Sequence, residues 1–136
     1  MSLAPLLAAP LPIQVHVFTV VPAFVIGTWQ IFLSRKGAPG HRFWGYVYLL
    51  LMTITAIAAI FIRDIMPDGP FGGFSPIHLF VPITLAGVAG AVYGARTRNI
   101  AMHRRAMLGV YAGGILIAGT FAFMPGRIMH AIVFGN

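Results

Sequence analysis

The chain has 136 residues, 59% of them hydrophobic and 8% charged, with a mean hydropathy of +0.90, and so little polar surface cannot cover a water-soluble domain of this size. A formal charge of +7 would suggest nucleic acid in a soluble domain, but there is no nucleic-acid motif, and the basic excess reads as a membrane-side bias with attraction to anionic lipid head groups. The absence of cysteine excludes a disulfide, a thiolate metal site and a cysteine-linked haem.

Taken in chain order, MSLAPLLAAPLP has no basic start and carries Pro5, Pro10 and Pro12, so it reads as an extended lead-in and not as a cleavable signal peptide. Charge is absent from residues 1 to 34, 43 to 62, 69 to 95 and 106 to 126, and each window supplies the about 20 apolar residues that cross a hydrocarbon core of roughly 30 Å. The spacing predicts helices over 12 to 33, 40 to 62, 76 to 95 and 100 to 124. The first carries His16, Thr19, Ala23, Gly27 and Gln30 on one face, with Pro22 placed to kink it. The second opens on Pro39, then His41 and Arg42, with Gly45 and Tyr48 on the face of His41. A polar loop rich in Pro and Gly, RDIMPDGPFGGFS, leads to Ser75-Pro76, an N-cap followed by a first-turn proline, and to His78 and a second internal proline, Pro82. Asn99 caps the fourth helix, which begins with His103, Arg104 and Arg105 between Met102 and Met107. Trp29, Trp44, Tyr46 and Tyr48 read as an interfacial aromatic belt. Gly87, Gly90 and Gly94 with Ala86, facing Gly113, Gly114 and Gly119, read as a close helix approach. His130 reads as a surface residue or a spare ligand.

Seven of the nine basic residues, Arg35, Lys36, Arg42, Arg96, Arg98, Arg104 and Arg105, fall in or beside the loops after the first and third helices. Arg63 and Arg127 lie on the other side with Asp64 and Asp68. The positive-inside rule then puts both termini outside a bacterial cytoplasmic membrane. The ionisable residues also repeat: His16 to His78 and His41 to His103 share an offset of 62 residues, which carries Arg42 onto Arg104 and Lys36 onto Arg98. The expected fold is an all-α, antiparallel bundle of four transmembrane helices, made of two repeated hairpins in a single domain spanning 1–136.

On this topology His16 and His78 form an outer pair and His41 and His103 an inner pair, separated by roughly 25 Å along the 17 residues from His16 to position 33. One imidazole from each of two facing helices, at two heights, is a pattern that holds b-type haem with bis-histidine ligation. Arg42, Arg104 and Arg105 stand beside the inner pair, where they can meet haem propionates or a quinone head group. The bland alternative is that His-Arg steps anchor helix starts at the interface. No nucleophile and base are paired, so no catalytic residue is assigned.

HRFWGYVY (41 to 48), SPIHL (75 to 79), HRRAM (103 to 107) and the late PGR (125 to 127) resemble the small four-helix bacterial membrane family catalogued as domain of unknown function 2306. That resemblance implies the fold and the membrane location and carries no activity. The two-level histidine pattern also resembles diheme b-type cytochromes of the ascorbate-reducible and ferric-reductase kind, from which this chain departs in placing its histidines nearer the helix ends and in lacking their flanking helices. Three functions follow as expectations. They are b-type haem electron transfer, with quinone as a further partner; a cofactor-free accessory or assembly subunit packed against other membrane subunits or its own copies; and a transporter of a small anion or metal.

Overall fold

The computed structural model describes residues 1–63, 68–70 and 72–135. Among them the regular structure is helical: α1 (Ala4–Leu7), α2 (Leu11–Phe32), α3 (Pro39–Ile60), a 3-10 turn (Pro76–Leu79) running into α4 (Phe80–Arg96), α5 (Ile100–Tyr111) continuing through a π-helical stretch (Ala112–Ile117) into α6 (Ala118–Ala122), and α7 (Ile128–Phe134). Leu11–Phe32, Pro39–Ile60, Pro76–Arg96 and Ile100–Ala122, of 22, 22, 21 and 23 residues, are long and apolar enough to cross a membrane. At about 1.5 Å per residue each reaches roughly 30 Å or slightly more. Asp64 lies outside the described residues.

The helix ends follow local chemistry. Pro39 is the first residue of α3, where its missing N–H has no helical partner to lose. Asn99 accepts from the Met102 N–H at 3.1 Å and caps α5. The end of α2 is closed by a cation: Lys36 Nζ donates to the carbonyls of Gln30, of Ile31 at 3.0 Å and of Ser34 at 3.3 Å, placing positive charge where the helix dipole is negative. The return from α4 to α5 takes only three residues and holds Arg98 at φ 58°, a left-handed conformation uncommon outside glycine.

Two hairpins result, α2 with α3 and α4 with α5–α6. They share a core of Ala23, Tyr48, Leu49, Met52, Ala91, Val110, Tyr111 and Ile115. Large apolar side chains such as Phe18, Val25 and Leu50 point outward, as lipid-facing spans require. The short connections 33–38 and 97–99 lie at one end of the molecule, the turn end; α1, α7, the end of α3 and the 3-10 turn before α4 lie at the other, the terminal end.

Several expectations are corrected. The lead-in is not wholly extended: α1 forms around buried Leu6 and packs on α7, where the Ser2 N–H meets the Ile132 carbonyl at 3.3 Å. Pro82 does not lie deep in a helix. It is the third residue of α4, and because it has no N–H for the His78 carbonyl, the preceding turn winds as 3-10, with the Phe80 N–H on the carbonyls of Ile77 and His78. Tyr48 is no belt residue but a core one, 1% exposed. The glycines of α4 do not face Gly113, Gly114 and Gly119. The short turn sets an antiparallel register in which Gly87 meets Val110, Gly90 meets Ala106 and Gly94 meets the backbone of His103; Gly114 meets Met52 and Thr84, and Gly119 is open.

Candidate functional site

Gly27 of α2 sets the relative height of α3 and α5. A Cβ there would lie 2.7 Å from the Tyr48 ring and 3.0 Å from the Tyr111 ring, so the two tyrosines share a layer. His41 precedes Tyr48 by two helical turns and His103 precedes Tyr111 by slightly more, about 10 and 12 Å along parallel axes. Both imidazoles therefore reach nearly the same depth near the turn end, and both are half-buried.

Their hydrogen bonds fix their tautomers. The Ser34 hydroxyl gives its hydrogen to the Gln30 carbonyl at 2.9 Å, so it accepts from His41 Nδ1–H at 2.7 Å. His103 Nδ1–H donates to the Ala91 carbonyl at 2.9 Å. In both rings Nε2 keeps its lone pair, which is the arrangement that presents imidazole to a metal with its other nitrogen oriented by an oxygen.

The other histidines differ. His16 Nδ1–H donates to the Thr55 carbonyl at 3.0 Å and also keeps a bare Nε2. His78 uses both nitrogens: Nε2–H donates to the Ile62 carbonyl at 2.8 Å and Nδ1 accepts from the Ser75 N–H at 3.0 Å, while its ring packs edge-on against Phe74, itself under the Arg63 guanidinium. Thr55 and Ile62 are seven residues apart, so the two imidazoles meet the end of this hairpin at heights differing by roughly 10 Å. The histidines that share the sequence offset thus make non-equivalent bonds. His130 Nδ1–H caps the end of the fourth span at the Phe123 carbonyl, 3.0 Å away. Arg42, Arg104 and Arg105 are exposed at the turn end.

Two buried polar atoms have no hydrogen-bond partner among the described residues, Gln30 Oε1 and the Tyr48 hydroxyl. The amide of Gln30 is otherwise committed, donating to the His41 carbonyl at 2.7 Å. Sequence reasoning put Gln30 on the face of His16 and Tyr48 on the face of His41, read Tyr48 also as a belt residue, and found no partner for either; the signal available was an uncharged amide inside an apolar run. Among the described residues no three His, Cys, Asp or Glu side chains converge on a metal position. Two apolar grooves, of about 290 Å³ beside Val15 and Ile57 and about 230 Å³ beside Trp29 and Trp44, touch no histidine.

Four apolar, membrane-length helices joined by polar turns define a multi-pass integral membrane protein. The chain matches the model of the family described as Predicted membrane protein (DUF2306) over residues 13–134, and it belongs to that family. No curated protein and no solved structure matches it.

Proposed function

We propose that the protein is an electron carrier of the bacterial cytoplasmic membrane that holds one b-type haem between His41 and His103, with the turn end facing the cytoplasm and both termini outside. The observation that carries this reading is the pair of imidazoles at one depth, each with Nδ1–H committed to an oxygen and Nε2 bare. When bound, the haem supplies one-electron oxidation and reduction at iron. Ser34 and the Ala91 carbonyl hold the two rings and raise their basicity. Arg42, Arg104 and Arg105 supply cations at the rim for propionates, or for a quinone that exchanges electrons there. A second haem on His16 and His78 fits less well, because the two rings are not level and His78 has no free nitrogen.

A cofactor-free accessory subunit is the second reading. It is favoured by the filled core of Tyr48, Met52, Val110, Tyr111 and Ile115 and by the use of every histidine as a tie to a neighbouring segment.

One measurement separates them. On the haem reading, the detergent-solubilised protein from haem-replete cells shows a Soret band that His41→Ala and His103→Ala each abolish and that His16→Ala and His78→Ala retain. A wild-type spectrum without that band leaves the accessory reading. Reporters fused to the C-terminus test the orientation, since activity inside the cytoplasm would reverse it.

A further inference from the structure

Gln30 and Tyr48 face each other reciprocally across α2 and α3. Tyr48 lies over Gly27, three residues before Gln30, and Gln30 lies over Gly45, three residues before Tyr48: a Cβ at Gly27 would be 2.7 Å from the Tyr48 ring and one at Gly45 3.3 Å from Gln30 Nε2. Helical side chains lean toward the N-terminus of their own helix. In an antiparallel pair the Gln30 amide therefore leans toward the Tyr48 level and the Tyr48 phenol toward the Gln30 level, which brings both polar ends into the layer between Gly27 and Gly45. They are 2% and 1% exposed, yet Gln30 Oε1 and the Tyr48 hydroxyl bond neither each other nor anything else among the described residues. Each orphaned group costs about 1–3 kcal/mol when no partner is supplied, and membrane interiors offer no bulk water to supply one.

We infer that Gln30 and Tyr48 form a binding site for a hydroxyl group, which donates its hydrogen to Gln30 Oε1 and accepts from the Tyr48 phenol. A carbonyl satisfies only the phenol, and an ammonium only the amide oxygen; a hydroxyl satisfies both. Two sources carry that chemistry, an ordered water and the ring hydroxyl of a lipid-soluble quinol. The site is independent of haem, because neither Gln30 Oε1 nor the phenol is used to hold His41 or His103.

The test is a double-mutant cycle on thermal unfolding of the solubilised full chain. Tyr48→Phe removes only the hydroxyl and lowers the midpoint by about 3 °C or more, and the loss at least halves in a Gln30→Met background, where the guest is already released. A Tyr48→Phe protein as stable as wild type, or an equal loss in both backgrounds, overturns the proposal. Should Gln30→Met not fold, the infrared O–H band of Tyr48, taken as the difference between wild type and Tyr48→Phe, decides: a hydrogen-bonded phenol supports the site and a free phenol overturns it. A short-chain quinol that raises the wild-type midpoint and not that of Tyr48→Phe assigns the hydroxyl to quinol. No quinol effect, with the Tyr48→Phe loss intact, assigns it to water.

Discussion

The two hairpins are held together by different means. In α2–α3 the link is polar: Thr19 and Thr55 hydroxyls meet at 2.7 Å, His16 reaches the Thr55 carbonyl, Gln30 reaches the His41 carbonyl, and His41 reaches Ser34. In α4–α5 one such link, from His103 to Ala91, accompanies a stripe of Gly87, Gly90 and Gly94 that brings the backbones into contact. Lipid gives helices no hydrophobic reason to associate, so packing and hydrogen bonds must do it, and this chain weights the two differently in its two hairpins. A hydrogen bond between side chains can be lost singly, while a backbone contact leaves no room to yield.

Substitutions can break or sharpen that contrast. The largest effect is expected at Gly94, where a Cβ would stand 2.5 Å from His103 N and 2.9 Å from its Cα; neither atom can rotate away, so Gly94→Ala should cost about 3 kcal/mol in detergent unfolding. Gly87→Ala meets Val110 Cγ2 at 2.5 Å, a side chain stiff in a helix but movable, and should cost about 2 kcal/mol in the same assay. In the polar hairpin Thr55→Val removes the hydroxyl pair and leaves the Thr55 carbonyl for His16, a loss of about 1 kcal/mol or less. If Thr55→Val proved as damaging as Gly94→Ala, the contrast between the hairpins would fall. Lys36→Met strips the cation from the end of α2 and should lower stability by about 0.5 kcal/mol, an effect that in wild type shrinks as salt is added. The smallest change is expected at Gly109, which has nothing within 4 Å of a built Cβ. Gly109→Ala should be neutral within about 0.5 kcal/mol or slightly stabilising through helix propensity, showing that contact and not glycine itself makes the stripe sensitive.

The spans were legible because crossing a bilayer demands long uncharged runs, and the prolines, Ser75 and Asn99 mark where the runs begin. The N-terminal run hid a short helix because α1 packs mainly on α7, a partner about 120 residues away that no local pattern announces. Spacing found the histidines but could not say which nitrogen each would use. His16 and His78 stand at the same offset as His41 and His103, yet one bonds the Thr55 carbonyl inside α3 and the other the Ile62 carbonyl beyond its end. The glycine stripe was legible as a surface for close approach; its partner was not, because a three-residue return sets a register that brings Gly94 to His103. Gln30 was legible as one residue on the face of His16, and its unpaired oxygen only in three dimensions.

The π-helical stretch at Ala112–Ile117 acts as a store of slack. Its i→i+5 bonds take up an additional residue compared with an α-turn. Rewinding it as α would turn everything beyond Ile117 by about 100° and advance it by about 1.5 Å relative to α5. Gly113 and Gly114 sit in this segment, with Gly114 against Met52 and Thr84 and Gly113 against Phe80, so the extra residue sets the face that the span beyond Tyr111 shows to α3 and α4.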